Sequence, residues 1–117
     1  MENRISDVEP KLGSVSSAKE EIDLKLFHAS EIRPVNILKS LQLSNEAIAA
    51  SKEIAYDEGA ALGYRHSGVC SRLLAKYDDA FEYFEKALDI YNRLNDPHGK
   101  AKVYNSIGNI YLEQHHV

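Results

Sequence analysis

At 117 residues, of which 44% are hydrophobic and 27% charged, the chain is long enough for one domain with a modest core and too short for a catalytic domain plus a regulatory one. Eighteen acidic residues against 14 basic ones leave a net charge of -4, which gives nucleic acid or an anionic membrane surface no electrostatic reason to bind. No window approaches the roughly 18 apolar residues of a membrane span, the first residues lack the apolar core of a signal peptide, and the single Cys70 has neither a disulfide partner nor metal-site spacing, so the reading is a cytoplasmic protein without metal or cofactor.

In chain order, residues 1–16 hold Pro10, Gly13, Ser14 and Ser16 among apolar residues too scattered to make a stripe, which predicts a flexible leader. A domain then runs over 17–117. Its first helix is expected from Ser17 to about Glu31, ending ahead of Pro34 because the residue before a proline disfavours helix. A second follows from Pro34 or Val35 to about Ala55, and a third from Gly59 to Leu74. The clearest helical period is Tyr77, Ala80, Phe81, Phe84, Ala87, Leu88, Tyr91 and Leu94, with Asp78 and Asp79 in the first turn, where the helix dipole favours negative charge. Asn95-Asp96-Pro97 closes that helix and opens the last one, over 97–114, with Asp96 as N-cap and Pro97 in the first turn. The buried side of the last helix is expected to carry Val103, Tyr104, Ile107, Gly108, Ile110 and Tyr111. Five helices with short connections result, and nothing alternates with period two for long enough to predict a strand.

A shift of 40 residues superposes Ala47 on Ala87, Gly59 on Gly99, Ala61 on Ala101, Tyr64 on Tyr104 and Gly68 on Gly108. A further shift lays Ser40 on Ala80, Ser44 on Phe84 and Leu24 on Tyr64, which places repeats at about 21–60 and 61–100 and a half repeat at 101–117. His28 stands where the first repeat would have its glycine, and Ser67 and Ser71 replace the aliphatic and the tyrosine of the second.

On these residues the chain resembles the tetratricopeptide repeat family, in a variant of about 40 residues per unit. Tyr104-Asn105-Ser106-Ile107-Gly108-Asn109-Ile110-Tyr111 is similar to the family's first-helix pattern, and Ala80, Phe84 and Ala87 to the small, aromatic, small triplet of its second helix. The resemblance implies an all-α superhelix of antiparallel helix hairpins, with Gly68 and Gly108 letting paired helices approach closely. It implies a protein-protein interaction scaffold rather than an enzyme, taking a peptide or helix in a concave groove lined by the first helix of each repeat. Carried onto this sequence, the groove positions are Arg65, Val69, Arg72 and Leu73, then Lys102, Asn105, Asn109 and Glu113. Asn105 and Asn109, four apart on one helix face, offer amide donors and acceptors to a peptide backbone, while Arg65, Arg72 and Lys102 suit its acidic groups.

Similar long repeats, with a link like Asn95-Asp96-Pro97-His98-Gly99, stand in the N-terminal sensory or regulatory parts of bacterial signalling enzymes such as nucleotide cyclases and histidine kinases. With Ile110 and Tyr111 so near the end, the last helix reads as one awaiting a partner. Either it is a cap that turns Lys100, Lys102, Asn105, Asn109 and Glu113 to water or, the reading favoured, the chain is a piece of a longer protein, whose open C-terminal helix would then drive self-association into a homodimer. The five histidines are dispersed or terminal, Cys70 reads as a buried inert thiol, and no nucleophile, acid-base pair or phosphate loop is present.

Overall fold

A computed structural model of the chain describes residues 10–115, with side chains from Ser16 onward. Five helices follow one another: α1 (Pro10–Ile32), α2 (Ile37–Glu53), α3 (Asp57–Leu73), α4 (Tyr77–Leu94) and α5 (Pro97–Gln114). Each packs on its chain neighbour, and the odd-numbered helices also touch, α1 on α3 and α3 on α5. The result is a stack of antiparallel hairpins, elongated at 67 × 32 × 18 Å, with α1, α3 and α5 on one side and α2 and α4 on the other. No strand occurs among the described residues.

Three connections are built alike. Ala55, Ala75 and Asn95 all take left-handed backbone (φ 55, 59 and 57°), one per connection at 20-residue intervals. After each, an amide bonds back five residues: Tyr56 N to Ser51 O (2.8 Å), Lys76 N to Ser71 O (2.8 Å) and Asp96 N to Tyr91 O (3.0 Å). This is the 6→1 bond that satisfies the last helical carbonyls when the chain reverses. The next helix is then capped where a side chain allows: Asp96 accepts from Gly99 N at 3.0 Å, with Pro97 following it, and Asn36 accepts from Lys39 N at 3.0 Å.

The first connection differs, and with it the first repeat. Residues 33–36 span it, one more than the three of 74–76, and Pro34 and Val35 lie in the turn rather than opening α2. None of these four residues has positive φ. The extra residue rotates α1 about its own axis, so Ile22, Leu26 and Ala29 turn inward. Leu24, expected to match Tyr64, is 67% exposed and His28 faces solvent too; the 40-residue register does not extend into α1. The leader expected over 1–16 falls largely outside the described residues, but the backbone is helical from Pro10, a residue suited to a helix's first turn, and not from Ser17.

The core follows the close approaches. Phe84 is fully buried, and a Cβ built on Gly68 would overlap its ring. Gly63 likewise admits Ile48 of α2, and Gly99 admits the Tyr91 ring. Around these lie Ala61, Ala80, Ala87, Val103 and Ile110, none exposed at all. Among α1, α2 and α3 buried hydroxyls add to the apolar contacts. Ser40, Ser44 and Ser67 are fully buried, Ser40 Oγ donating to Ala29 O (2.6 Å) and Ser67 Oγ to Asn45 Oδ1 (2.8 Å).

Gly108 departs from its counterpart: nothing lies within 4 Å of a Cβ placed there. Tyr104 and Tyr111, expected to be buried with it, are 59% and 53% exposed, because no helix among the described residues stands where α4 stands on α3. Only Val103 and Ile110 of the expected set are buried, and Ile107 is half-buried.

Two stability predictions follow from this geometry. Alanine in left-handed backbone costs about 1–2 kcal/mol, partly offset by the extra unfolded-state entropy of glycine, so Ala55→Gly and Ala75→Gly should each stabilise by roughly 0.5–1 kcal/mol in urea denaturation, with Asn95→Gly gaining less. Gly68→Ala should destabilise by roughly 1–3 kcal/mol through overlap with Phe84, whereas Gly108→Ala should stabilise by about 0.5–1 kcal/mol, since it improves helix propensity and meets nothing.

Candidate functional site

The face shared by α1, α3 and α5 is where side chains from successive hairpins are brought side by side. Helical spacing places Arg65, Val69 and Arg72 on one stripe of α3 and Lys102, Asn109 and Glu113 on one stripe of α5, with Asn105 beside it. Lys102 and Asn105 are exposed and Asn109 is half-buried, while Leu73, at the end of α3, is 45% exposed. Val69 packs against the core and offers only its outer edge.

Arg72 is committed within the fold. Its guanidinium donates to Glu113 Oε2 at 2.6 Å, tying α3 to α5 across the face, so the acidic partner expected from a ligand is supplied by the chain itself. The two residues are joined because positions 72 and 113 lie on the facing sides of neighbouring odd-numbered helices. Arg65 instead turns toward α1, where it lines a depression with His66, Leu62, Asp23, Phe27 and Ser30. The α1 wall of that depression, Asp23, Phe27 and Ser30, was not visible in the repeat register, because the longer first connection moves α1 out of step. A helical wheel of α1 alone, showing Phe27 off the stripe of Ile22, Leu26 and Ala29, is the signal that finds it.

The charges around the depression are ordered. Tyr56 at the start of α3 donates its hydroxyl to Asp23 Oδ1 (2.8 Å), and burial together with that carboxylate pushes the phenol up to about 12. His66 is nearly buried, and Arg33 from the α1–α2 connection approaches its Nδ1 at 3.4 Å. An arginine has no lone pair to offer, so Nδ1 is the acceptor and the ring is neutral, with its proton on Nε2. Burial first, then the positive charges of Arg65 and Arg33, hold His66 far below its ordinary 6.5, at about 3. Cys70, fully buried, donates to Ser40 Oγ at 3.3 Å, and burial pushes its thiol up, as suits an inert side chain. No cluster of three or more metal-ligating side chains occurs among the described residues, and no described helix is long and apolar enough to cross a membrane.

His66 makes the stability of this face depend on pH. The unfolded chain takes up a proton below pH 6.5 that the folded chain refuses until about pH 3, so the contribution is complete above 6.5 and is lost as pH falls through this window. By pH 5 the loss should reach about 2 kcal/mol. Denaturant midpoints of the parent chain and His66→Gln, measured from pH 7 to 4.5, should show the steeper decline in the parent; parallel profiles would mean that His66 is protonated in the fold.

Arg65 of α3, the amides of Asn105 and Asn109 on α5 and Phe27 of α1 are thus all carried by the odd-numbered helices, which contact one another in order. Comparison with known proteins agrees on the architecture. No curated protein and no solved structure matches the chain. A family model described as tetratricopeptide repeat matches residues 57–116, just over half of the chain and the part in which α3, α4 and α5 keep the repeat register. The chain belongs to the tetratricopeptide repeat family, whose members are in general protein-interaction scaffolds without catalytic activity of their own.

Proposed function

We propose that this protein binds an extended peptide or a helix of a partner protein on the face formed by α1, α3 and α5. The observation that supports the reading is the depression that Arg65 lines with Phe27 of α1, together with Lys102, Asn105 and Asn109 on α5, the next odd-numbered helix, which contacts α3. The guanidinium of Arg65 suits a carboxylate of the ligand, Phe27 and the edge of Val69 an apolar side chain, and the two amides the ligand's backbone. Arg72 acts by holding α5 against α3 through Glu113, and so sets the width of the face instead of touching the ligand.

One observation favours a second reading within the same family, a sensory or regulatory module of a bacterial signalling enzyme. The helix that offers Asn105 and Asn109 to a ligand also bears the uncovered stripe of Tyr104, Gly108 and Tyr111, so a ligand that orders α5 on one side alters what α5 presents on the other. A catalytic domain in the same reading frame would support it.

The scaffold reading is tested with a partner captured from the source cell and confirmed by a second method. Asn105→Ala/Asn109→Ala should weaken that complex about 10-fold or more, the loss of a few hydrogen bonds at roughly 1 kcal/mol each. An unchanged Kd would remove α5 from the binding face.

A further inference from the structure

We propose that Arg33, Arg65 and His66 form a site for a phosphate dianion, free or carried as a monoester on a ligand, at the depression between α1 and α3. The site rests on the α1–α3–α5 binding face and names the charge that its Arg65 end receives.

Two helices bring these groups together. On α1, Asp23, Phe27 and Ser30 line the depression at helical spacing, and the bond from Arg33 N to Ala29 O (3.1 Å) continues the same stripe to Arg33, one turn beyond Ser30. On α3, Leu62, Arg65 and His66 line the opposite wall, and the Arg33 guanidinium stands 3.4 Å from His66 Nδ1. The hollow measures about 280 Å³, below the roughly 300–1,000 Å³ of sites for drug-sized molecules, so its occupant is a small group.

The chain does not balance the charges it places there. The ion pairs among the described residues join Lys25 to Glu46, Arg72 to Glu113 and Arg93 to Asp57, and leave Arg33 and Arg65 with no carboxylate partner. Both are half-buried, and Arg65 Nε is fully buried with no hydrogen-bond partner, a state that costs free energy until an acceptor arrives. Asp23, the one carboxylate lining the depression, already accepts from the Tyr56 hydroxyl, over whose ring Lys19 lies at 5.1 Å. Burial and the two arginines together keep His66 neutral, so its Nε2–H is a donor for a ligand.

This arrangement sets the ligand's chemistry. A carboxylate answers Arg65 alone, whereas a phosphate dianion neutralises both guanidiniums and has acceptor oxygens for two planar forks and an imidazole N–H. The exposed ring of Phe27 faces whatever group carries the phosphate.

The test is calorimetric titration of the full chain with inorganic phosphate at pH 8 in low chloride. Saturable one-to-one binding is expected, and Arg33→Gln and Arg65→Gln should each weaken it about 10-fold or more, through the loss of charge-assisted hydrogen bonds. Lys76→Gln, which removes the same charge from the exposed α3–α4 connection, should leave it unchanged. Phosphate should also raise the urea midpoint of the parent and of neither arginine variant, which separates lost binding from lost folding. N-acetyl-O-phosphoserine N-methylamide, titrated in parallel, identifies the source: tighter binding than inorganic phosphate assigns the site to a phosphorylated side chain and weaker binding to free phosphate, and either order supports the site. Absence of saturable phosphate binding, equal weakening by Lys76→Gln, or displacement of phosphate by an equal concentration of acetate would overturn the proposal. If Asn105→Ala/Asn109→Ala still weakened the partner complex, that failure would remove the phosphate site and leave the peptide-binding face standing.

Discussion

The approach of α4 to α3 at Gly68 is the contact on which the rest of the structure depends. α3 is the one helix that touches all four others, and it does so only because it is thin where they arrive: glycine at 63 beneath Ile48 of α2, and glycine at 68 beneath Phe84 of α4. Two helices at this separation bury an entire phenylalanine ring, and burying a side chain of that size contributes roughly 1.5–3 kcal/mol. With α4 fixed, Tyr91 meets Gly99, α5 is set down beside α3, and Arg72 comes within reach of Glu113.

The turns convert that one contact into a superhelix. Ala55, Ala75 and Asn95 close their helices with the same left-handed backbone and the same five-residue bond, and a turn repeated in this way is what stacks successive hairpins regularly. The alanines carry a conformational cost that glycine would not, which the surrounding packing absorbs. Where this turn is absent, between α1 and α2, the regularity stops as well. α1 is rotated, and the helices there are joined by an aliphatic cluster of Ile22, Leu26 and Ala47 with buried hydroxyls of Ser40 and Ser67, where an aromatic ring is used further on.

This irregularity shapes the face shared by the odd-numbered helices. A rotated α1 turns Phe27 outward and brings Asp23 to Tyr56, so the depression beside Arg65 has one apolar and one acidic wall that a strictly repeating α1 would not have provided. His66, kept neutral beside two arginines, sits under it as a hydrogen-bond acceptor rather than a third charge. The polar groups of the face therefore come from the departure from the repeat, while its overall shape comes from the repeat itself.

Local pattern was enough to place α4 and α5 to the residue, since Asp78 and Asp79, the Asn95 stop and the Asp96-Pro97 start act within one helical turn and do not depend on what packs above them. The same holds for the fold class, because the small, aromatic, small triplet of Ala80, Phe84 and Ala87 describes a helix that only another helix with a glycine opposite can cover. Three things were decided by tertiary contacts alone. The facing of α1 depends on how one extra residue in a proline-containing link propagates into rotation. The role of Arg72 depends on a carboxylate 41 residues away, with no mark in the local sequence. And Gly68 and Gly108, indistinguishable by sequence, differ because a glycine's use is set by the atoms that arrive from another helix, which are present over one and absent among the described residues over the other.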